Sequence, residues 1–329
     1  MIGTRRRFAC AALAAAAGGC GRSNRAVLRL ANVQGILAPV LAESLGHFGQ
    51  QGLDVEMSDM PGVSKSVQAL VGGSVEVCVG GLDQAIQLNI DGIAVNAFFL
   101  IGRRPGAALV VSPKAAGRIR KIADLKGSAV GVTAPGSTAQ WYLYHLMARE
   151  GLVPGDVSIA GIGTMATALA ALEQGKVDAA IVLPYPLAAL RRRHSGLLVL
   201  AEMITAQGTR DVYGVDTLLN LCLISKRSWL EAQPDLARKV TRAMASTHAW
   251  IQSHTPEQIR DRVPAGARLA DSAAELDYVA SLKDIYSVDG RMLPEGPADL
   301  VRVLSGSVEK FRGSTLDLRR AYTNEFLAG

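Results

Sequence analysis

Aromatic side chains are scarce in this sequence: three Trp, seven Tyr and six Phe amount to 5% of 329 residues. That excludes a surface of interleaved aromatics of the kind single-stranded nucleic acid requires, and it argues against a cleft that grips its ligand by stacking. Histidines number five, and none stands beside a Cys or an acidic residue at metal-ligand or triad spacing. Neither a metal nor any other cofactor is therefore expected. Charge of one sign is also thin. The net +6 falls to +3 if residues 1–19 are removed, because Arg5, Arg6 and Arg7 leave without an acid. No helix-turn-helix or zinc spacing accompanies it, so nucleic acid is not an expected partner. Of the four cysteines, Cys10 and Cys20 belong to the N-terminal segment. Cys78 in VEVCVGG and Cys222 in LLNLCLIS lie in apolar runs, where two small buried thiols and a disulfide both remain open.

What is present is core-forming material. With 49% hydrophobic and 19% charged residues, the chain is globular, and its length suits two domains of ordinary size. An eleven-residue phrase occurs twice. Ala69-Leu70-Val71-Gly72-Gly73-Ser74-Val75-Glu76-Val77-Cys78-Val79 is echoed by Ala171-Leu172-Glu173-Gln174-Gly175-Lys176-Val177-Asp178-Ala179-Ala180-Ile181. Each copy reads as a helix end, a Gly stop and a buried strand, and each is preceded by a strand, a helix and a further strand, over 27–57 and 128–160. Alternating strands and helices build a parallel sheet covered by helices, and two such units in one chain enclose a cleft suited to a small ligand.

The first twenty residues read as an export signal. Thr4-Arg5-Arg6-Arg7-Phe8 is cationic, Ala9 to Ala17 is apolar but too short to span a bilayer, and Gly18-Gly19-Cys20 follows. The Thr-Arg-Arg-x-Phe order resembles a twin-arginine signal, with an ordinary positive n-region as the alternative. Ala17-Gly18-Gly19-Cys20 resembles a lipoprotein cleavage box, with Ala where Leu is usual. That resemblance implies lipidation at Cys20 and a periplasmic protein anchored to a membrane.

The ordered motifs between residues 27 and 255 resemble the substrate-binding proteins of bacterial ABC importers of the nitrate, sulfonate and taurine group. They are Leu30 to Pro39 with Phe48 to Val55, Gly73 to Gly81, Ile122-Ala123-Asp124-Leu125-Lys126-Gly127 with Gly131-Val132 and Gly136-Ser137, and the second copy of the phrase. The resemblance implies a two-lobed α/β clamshell of the periplasmic-binding-protein kind, each lobe a mostly parallel sheet flanked by helices, joined by two crossover strands near 108–114 and 201–216. The division it implies is a signal over 1–19, a linker over 20–26, lobe one over 27–110 plus 212–329, and lobe two over 111–211. It also implies a monomer that captures a small solute for a permease and an ATPase, and that is not itself an enzyme. A sensor module for a membrane kinase is the alternative that needs the same cleft. An enzyme of the related pyrimidine-precursor type would need a cysteine-rich segment that this sequence does not contain. Residues 229–260 are expected to pack on lobe one as helix, and the sequence from 261 onward, helical and polar, is expected to serve packing and surface.

In such a fold the ligand meets loops that follow strands and the first turns of helices, where unpaired N–H groups favour an anion or a polar oxygen. Four loops qualify: Gln34-Gly35-Ile36-Leu37, Gly62-Val63-Ser64, Gly81-Leu82-Asp83 and Pro135-Gly136-Ser137-Thr138. Ser64, Ser137, Thr138 and Asp83 are also the residue types that cap helices, so a capping role competes with a ligand role at each. Asp83 would repel an anion and attract an amine. Tyr185, held between Pro184 and Pro186, is expected to face the cleft, and one of Arg103 and Arg104 is positioned to neutralise an anion. Trp141, on the helix after Ser137, is a further candidate. A small anionic solute of sulfonate, nitrate or carboxylate type is the expected ligand.

Overall fold

The computed structural model describes residues 25–306, 308–313 and 317–327. The expected signal and Cys20 lie outside them. Apolar runs separated by Gly-stopped helices give two five-stranded sheets. The first contains β1 (Ala26–Val33), β2 (Leu53–Met60), β3 (Val77–Gly81) and β4 (Val95–Leu100), linked by helices α1 (Leu37–Ser44), α2 (His47–Gln50), α3 (Val63–Val71) and α4 (Leu82–Ile90). The second contains β5 (Ala108–Val111), β6 (Ala129–Val132), β7 (Ser158–Gly161), β8 (Ala179–Val182) and β9 (Val199–Glu202), with α5 (Thr138–Arg149), α6 (Ala166–Glu173), α7 (Pro184–Arg193) and α8 (Ala206–Tyr213). The chain then returns to the first sheet as β10 (Leu221–Lys226). It ends in α9 (Arg227–Ala232), α10 (Pro234–Ser253), α11 (Pro256–Arg262), α12 (Ser272–Ile285) and α13 (Gly296–Ser305).

The strand orders are β2-β1-β3-β10-β4 and β7-β6-β8-β5-β9. In each, the fourth strand alone runs antiparallel to its neighbours, and it is the strand that enters just after the chain has crossed from the other lobe. The repeated phrase occupies equivalent places. It ends α3 and forms β3 in one lobe, and it ends α6 and forms β8 in the other. Gly73 and Gly175 turn the chain at φ 79° and 70°, a conformation in which any side chain is strained.

ALVV, read from sequence as a crossing, is instead β5, bonded on both sides within the second sheet. The crossing precedes it. Residues 101–103 run beside 218–221, with Ile101 and Gly102 N–H donating to Leu221 O (2.8 and 2.9 Å) and Leu218 and Asn220 N–H donating to Arg103 O and Gly102 O (3.0 and 2.9 Å). Much of the 201–216 stretch, expected to carry the return, is helix α8. Cys78 pairs with Ile224 and Cys222 with Gly80, so the two thiols are diagonal rather than opposite across adjacent strands. Diagonal positions lie about 7–8 Å apart, beyond disulfide reach, and both thiols are free and buried.

The C-terminal helices join the lobes. Helix α12 packs on α7 of lobe two and on α10, which itself lies on α1 and α2 of lobe one. Arg192 of α7 pairs with Asp277 of α12 at 2.8 Å.

Candidate functional site

A cavity of about 70 Å³ lies where the lobes, the crossing segments and α12 meet. Its walls come from the β1–α1 loop (Val33, Gly35, Ile36), the first residue of α3 (Val63), the crossing (Pro105, Gly106, Ala107), the start of α5 (Ser137, Thr138, Ala139, Tyr142), the end of β8 (Ile181 to Pro184) and one face of α12 (Tyr278, Leu282, Ile285). A water-sized group needs about 10–15 Å³ on this measure, so the space suits a small organic molecule. Among the described residues, no charged side chain and no histidine lines it.

Several residues that line this apolar space carry buried polar atoms without a protein partner. Ser137 Oγ, Tyr142 Oη, Thr164 Oγ1 and Asn220 Oδ1 all belong to lining residues and have no hydrogen-bond partner among the described residues. Ser137 stands at the N-cap of α5 yet makes no capping hydrogen bond, although it is only 1% exposed. Capping therefore does not account for its hydroxyl. The Thr138 hydroxyl donates to Asp83 Oδ1 at 2.9 Å, a bond from α5 of lobe two to α4 of lobe one. Asp83 is 1% exposed, and burial raises its carboxyl pKa to about 6. Gly81 makes room for the bridge, since a Cβ there would stand 2.1 Å from Asp83 Oδ1 and 2.7 Å from Thr138 Oγ1. The Asn220 amide is oriented by its Nδ2 donating to Pro105 O (2.9 Å), which leaves Oδ1 as the open acceptor.

The residues expected from sequence divide. Gly35, Ile36, Ser137 and Thr138 line the cavity; Asp83 sits one hydrogen bond behind Thr138. Gln34 is exposed and lies instead along a shallow surface depression with Gly161 and Thr167. Leu37 is represented only by its backbone, whose N–H donates to Tyr286 Oη (3.1 Å). Ser64 is the second residue of α3, not its cap, and does not reach the cavity wall, where Val63 stands. Gly81 and Leu82 support the bridge and the core, Leu82 N–H donating to Asn220 O (2.9 Å).

Tyr185 does not line the cavity. Prolines are tolerated in a first helical turn, so LPYP opens α7 rather than forming a strand-end loop, and Tyr185 is buried in the core while Pro184 meets the cavity. Trp141 packs edge-on against Tyr144, and Tyr142 takes the wall position. Arg103 and Arg104 point to α12: Arg103 donates to Lys283 O and Asp284 O, and Arg104 to Asp284 O and, outside α12, to Asp216 O. Neither enters the cavity. Sequence reasoning missed α12 as a wall of the site, although its Tyr278, Leu282 and Ile285 recur at helical spacing, with the Tyr278 hydroxyl donating to Gly35 O. It also missed Asn220, whose signal was a polar residue inside the apolar run LLNLCLIS.

A family model described as NMT1/THI5 like matches residues 34–259. No curated protein matches the chain. Among solved structures, a protein from Bordetella bronchiseptica RB50 is 31% identical, covering 92% of this chain and 96% of that one, with a TM-score of 0.86. The alkanesulfonate-binding protein SsuA from Xanthomonas axonopodis pv. citri, solved bound to MOPS, is 17% identical over 91% of this chain and 99% of its own, with a TM-score of 0.71. The periplasmic nitrate-binding protein NrtA from Synechocystis PCC 6803 is 14% identical over 92% of this chain and 87% of its own, with a TM-score of 0.69. The likeness to SsuA and NrtA extends to the whole two-lobed periplasmic-binding-protein fold.

Proposed function

The chain belongs to the NMT1/THI5-like family, and on that premise we propose that it is the extracytoplasmic solute-binding component of an ABC importer, closing its two lobes on one small organic solute. The observation that carries this reading is that four residues lining one apolar cavity between the lobes, Ser137, Tyr142, Thr164 and Asn220, carry buried polar atoms with no partner among the described residues. Each orphaned group costs about 1–3 kcal/mol, which a matching ligand recovers. A lining of hydroxyls, an amide and apolar side chains favours capture over turnover, because none of the described residues on the wall is a histidine, lysine, cysteine or carboxylate. SsuA and NrtA, named for binding alkanesulfonate and nitrate, share the fold.

The anionic solute expected from the sequence, a sulfonate, nitrate or carboxylate, has the N-terminus of α5 and the free hydroxyls of Ser137 and Thr164 in its favour. It has no cation to neutralise it, so the proposal is the broader class of small organic solutes. We extend the proposal to a monomer that delivers its solute to a permease and an ATPase, is matured at Cys20 and is held at a membrane on the periplasmic side by lipid. Cys20→Ala should then release the protein from the membrane fraction, and unchanged membrane association would refute the anchor.

Small-angle scattering tests capture itself. Protein purified without refolding should have a smaller radius of gyration than the same protein stripped of small molecules by unfolding and refolding. Equal radii would contradict closure on a solute.

A further inference from the structure

Hydrogen-bond polarity along the cavity wall separates one ligand class from another. A hydroxyl has one proton to give, and Thr138, a residue of the cavity wall, gives its proton to Asp83 Oδ1, so to any ligand that reaches it the hydroxyl offers only lone pairs. Asn220 spends an amide proton on Pro105 O and presents Oδ1, 6% exposed as a residue and without a partner. Behind them lies Asp83 Oδ2, also buried and unpartnered. Among the described residues, these acceptors meet no lysine, arginine or histidine on the cavity wall. An oxyanion placed against Thr138 and Asn220 would bring acceptor against acceptor with a carboxylate behind, an arrangement destabilised by both unmade hydrogen bonds and like charge.

Resting on the solute-capture reading, we infer that the ligand presents a hydrogen-bond donor, an ammonium, amide or ring N–H, to Thr138 Oγ1 and Asn220 Oδ1, with an apolar body against Val33, Ile36, Leu282 and Ile285, and that a bare oxyanion is not its recognition group. The free hydroxyls of Ser137, Tyr142 and Thr164 can give or take a proton and adapt to whatever polar atoms the rest of the ligand carries. Donors on the ligand are thus the fixed demand of the site.

Three probes with one apolar body and different heads test this: 3-methylbutylamine, 3-methylbutanamide and 3-methylbutane-1-sulfonate, titrated into protein stripped of small molecules. The amine and the amide should bind at least tenfold more tightly than the sulfonate. Asp83→Asn, which keeps the size of the side chain and removes its charge, should weaken the amine tenfold or more and change the amide less than about threefold. The comparison among probes on the unmodified protein needs no variant to fold. Tighter binding of the sulfonate, with compaction in scattering, overturns the inference and leaves solute capture standing. Failure of both amine and amide to bind also overturns it; solute capture falls as well only if native mass spectrometry of the unrefolded protein finds no small molecule.

Discussion

The two lobes share one scaffold and differ in the chemistry they turn to the cleft. Strand for strand their sheets match, down to the single antiparallel strand in fourth place that each receives on entry from its partner. At the cleft the match ends. Lobe one and the returning segment supply Asp83, behind the wall, and the Asn220 acceptor, whereas lobe two supplies Thr138, bonded to Asp83, and the unpartnered hydroxyls of Ser137, Tyr142 and Thr164. β3 passes into α4 at Gly81, where a side chain would collide with the Asp83–Thr138 bridge; the corresponding junction of β8 and α7 carries Leu183 and Pro184. Repetition accounts for the fold, and the site is built where the repeat is broken.

The largest effects should come from the entering strands themselves. Leu223 of β10 and Leu109 of β5 are both fully buried at corresponding places. Replacement of either by Ala should cost about 2–5 kcal/mol. Because α12 packs against both lobes, each variant should still unfold in one transition; two separated transitions would show that the lobes are energetically independent.

Asp83 sharpens the contrast in charge. Burial raises its pKa to about 6 from an ordinary 3.8, so the folded protein holds this proton at pH values where the unfolded chain has released it. The stabilisation is complete below about pH 4 and is lost as pH rises through about 6. Its nearest titratable neighbours, Tyr142 and Cys222, are themselves pushed upward by burial and stay protonated across that window. Asp83→Asn should therefore flatten the pH dependence and raise stability at pH 7 by on the order of 1–3 kcal/mol, measured in denaturant at pH 4 and pH 7. A variant that is less stable at pH 7 would show that the charged bridge to Thr138 outweighs burial.

Two serines at helix starts separate the lobes further. Ser137→Ala removes a hydroxyl that has no protein partner, so affinity for the co-purifying solute should fall roughly tenfold while the melting temperature barely moves. Ser64→Ala, away from the wall, should leave affinity unchanged. Reversal of that order would move the polar contacts to lobe one. The smallest effect expected is that of reductant: with Cys78 and Cys222 free, thiol treatment should shift neither lobe's melting, and a drop would reveal a disulfide.

The repeat made the scaffold readable in advance. Gly73 and Gly175, the strands they precede and the helices they end fall where the doubled phrase placed them. Ser137 and Thr138 were legible as residues of a helix start. Tyr142 was not, because Trp141 and Tyr142 are adjacent on one helix and only tertiary packing decides which ring meets the cleft. Helix α12 was legible as a helix but not as a wall, since its spacing defines a face without saying what the face meets. Tyr185 was misplaced because Pro184 and Pro186 read equally well as a rigid loop and as a first helical turn. Gln34 and Ser64 lie one residue from Gly35 and Val63, which do reach the cavity, so the loops were placed more accurately than the side chains within them.

The central claim, one small solute held between unlike lobes, is tested most directly by native mass spectrometry of the protein purified without refolding, beside Val63→Trp, which fills the cavity from a half-buried position on lobe one. The account predicts one small organic molecule on each unmodified chain and none on the variant, with circular dichroism unchanged. The same bound mass on both proteins, or none on either, would contradict it.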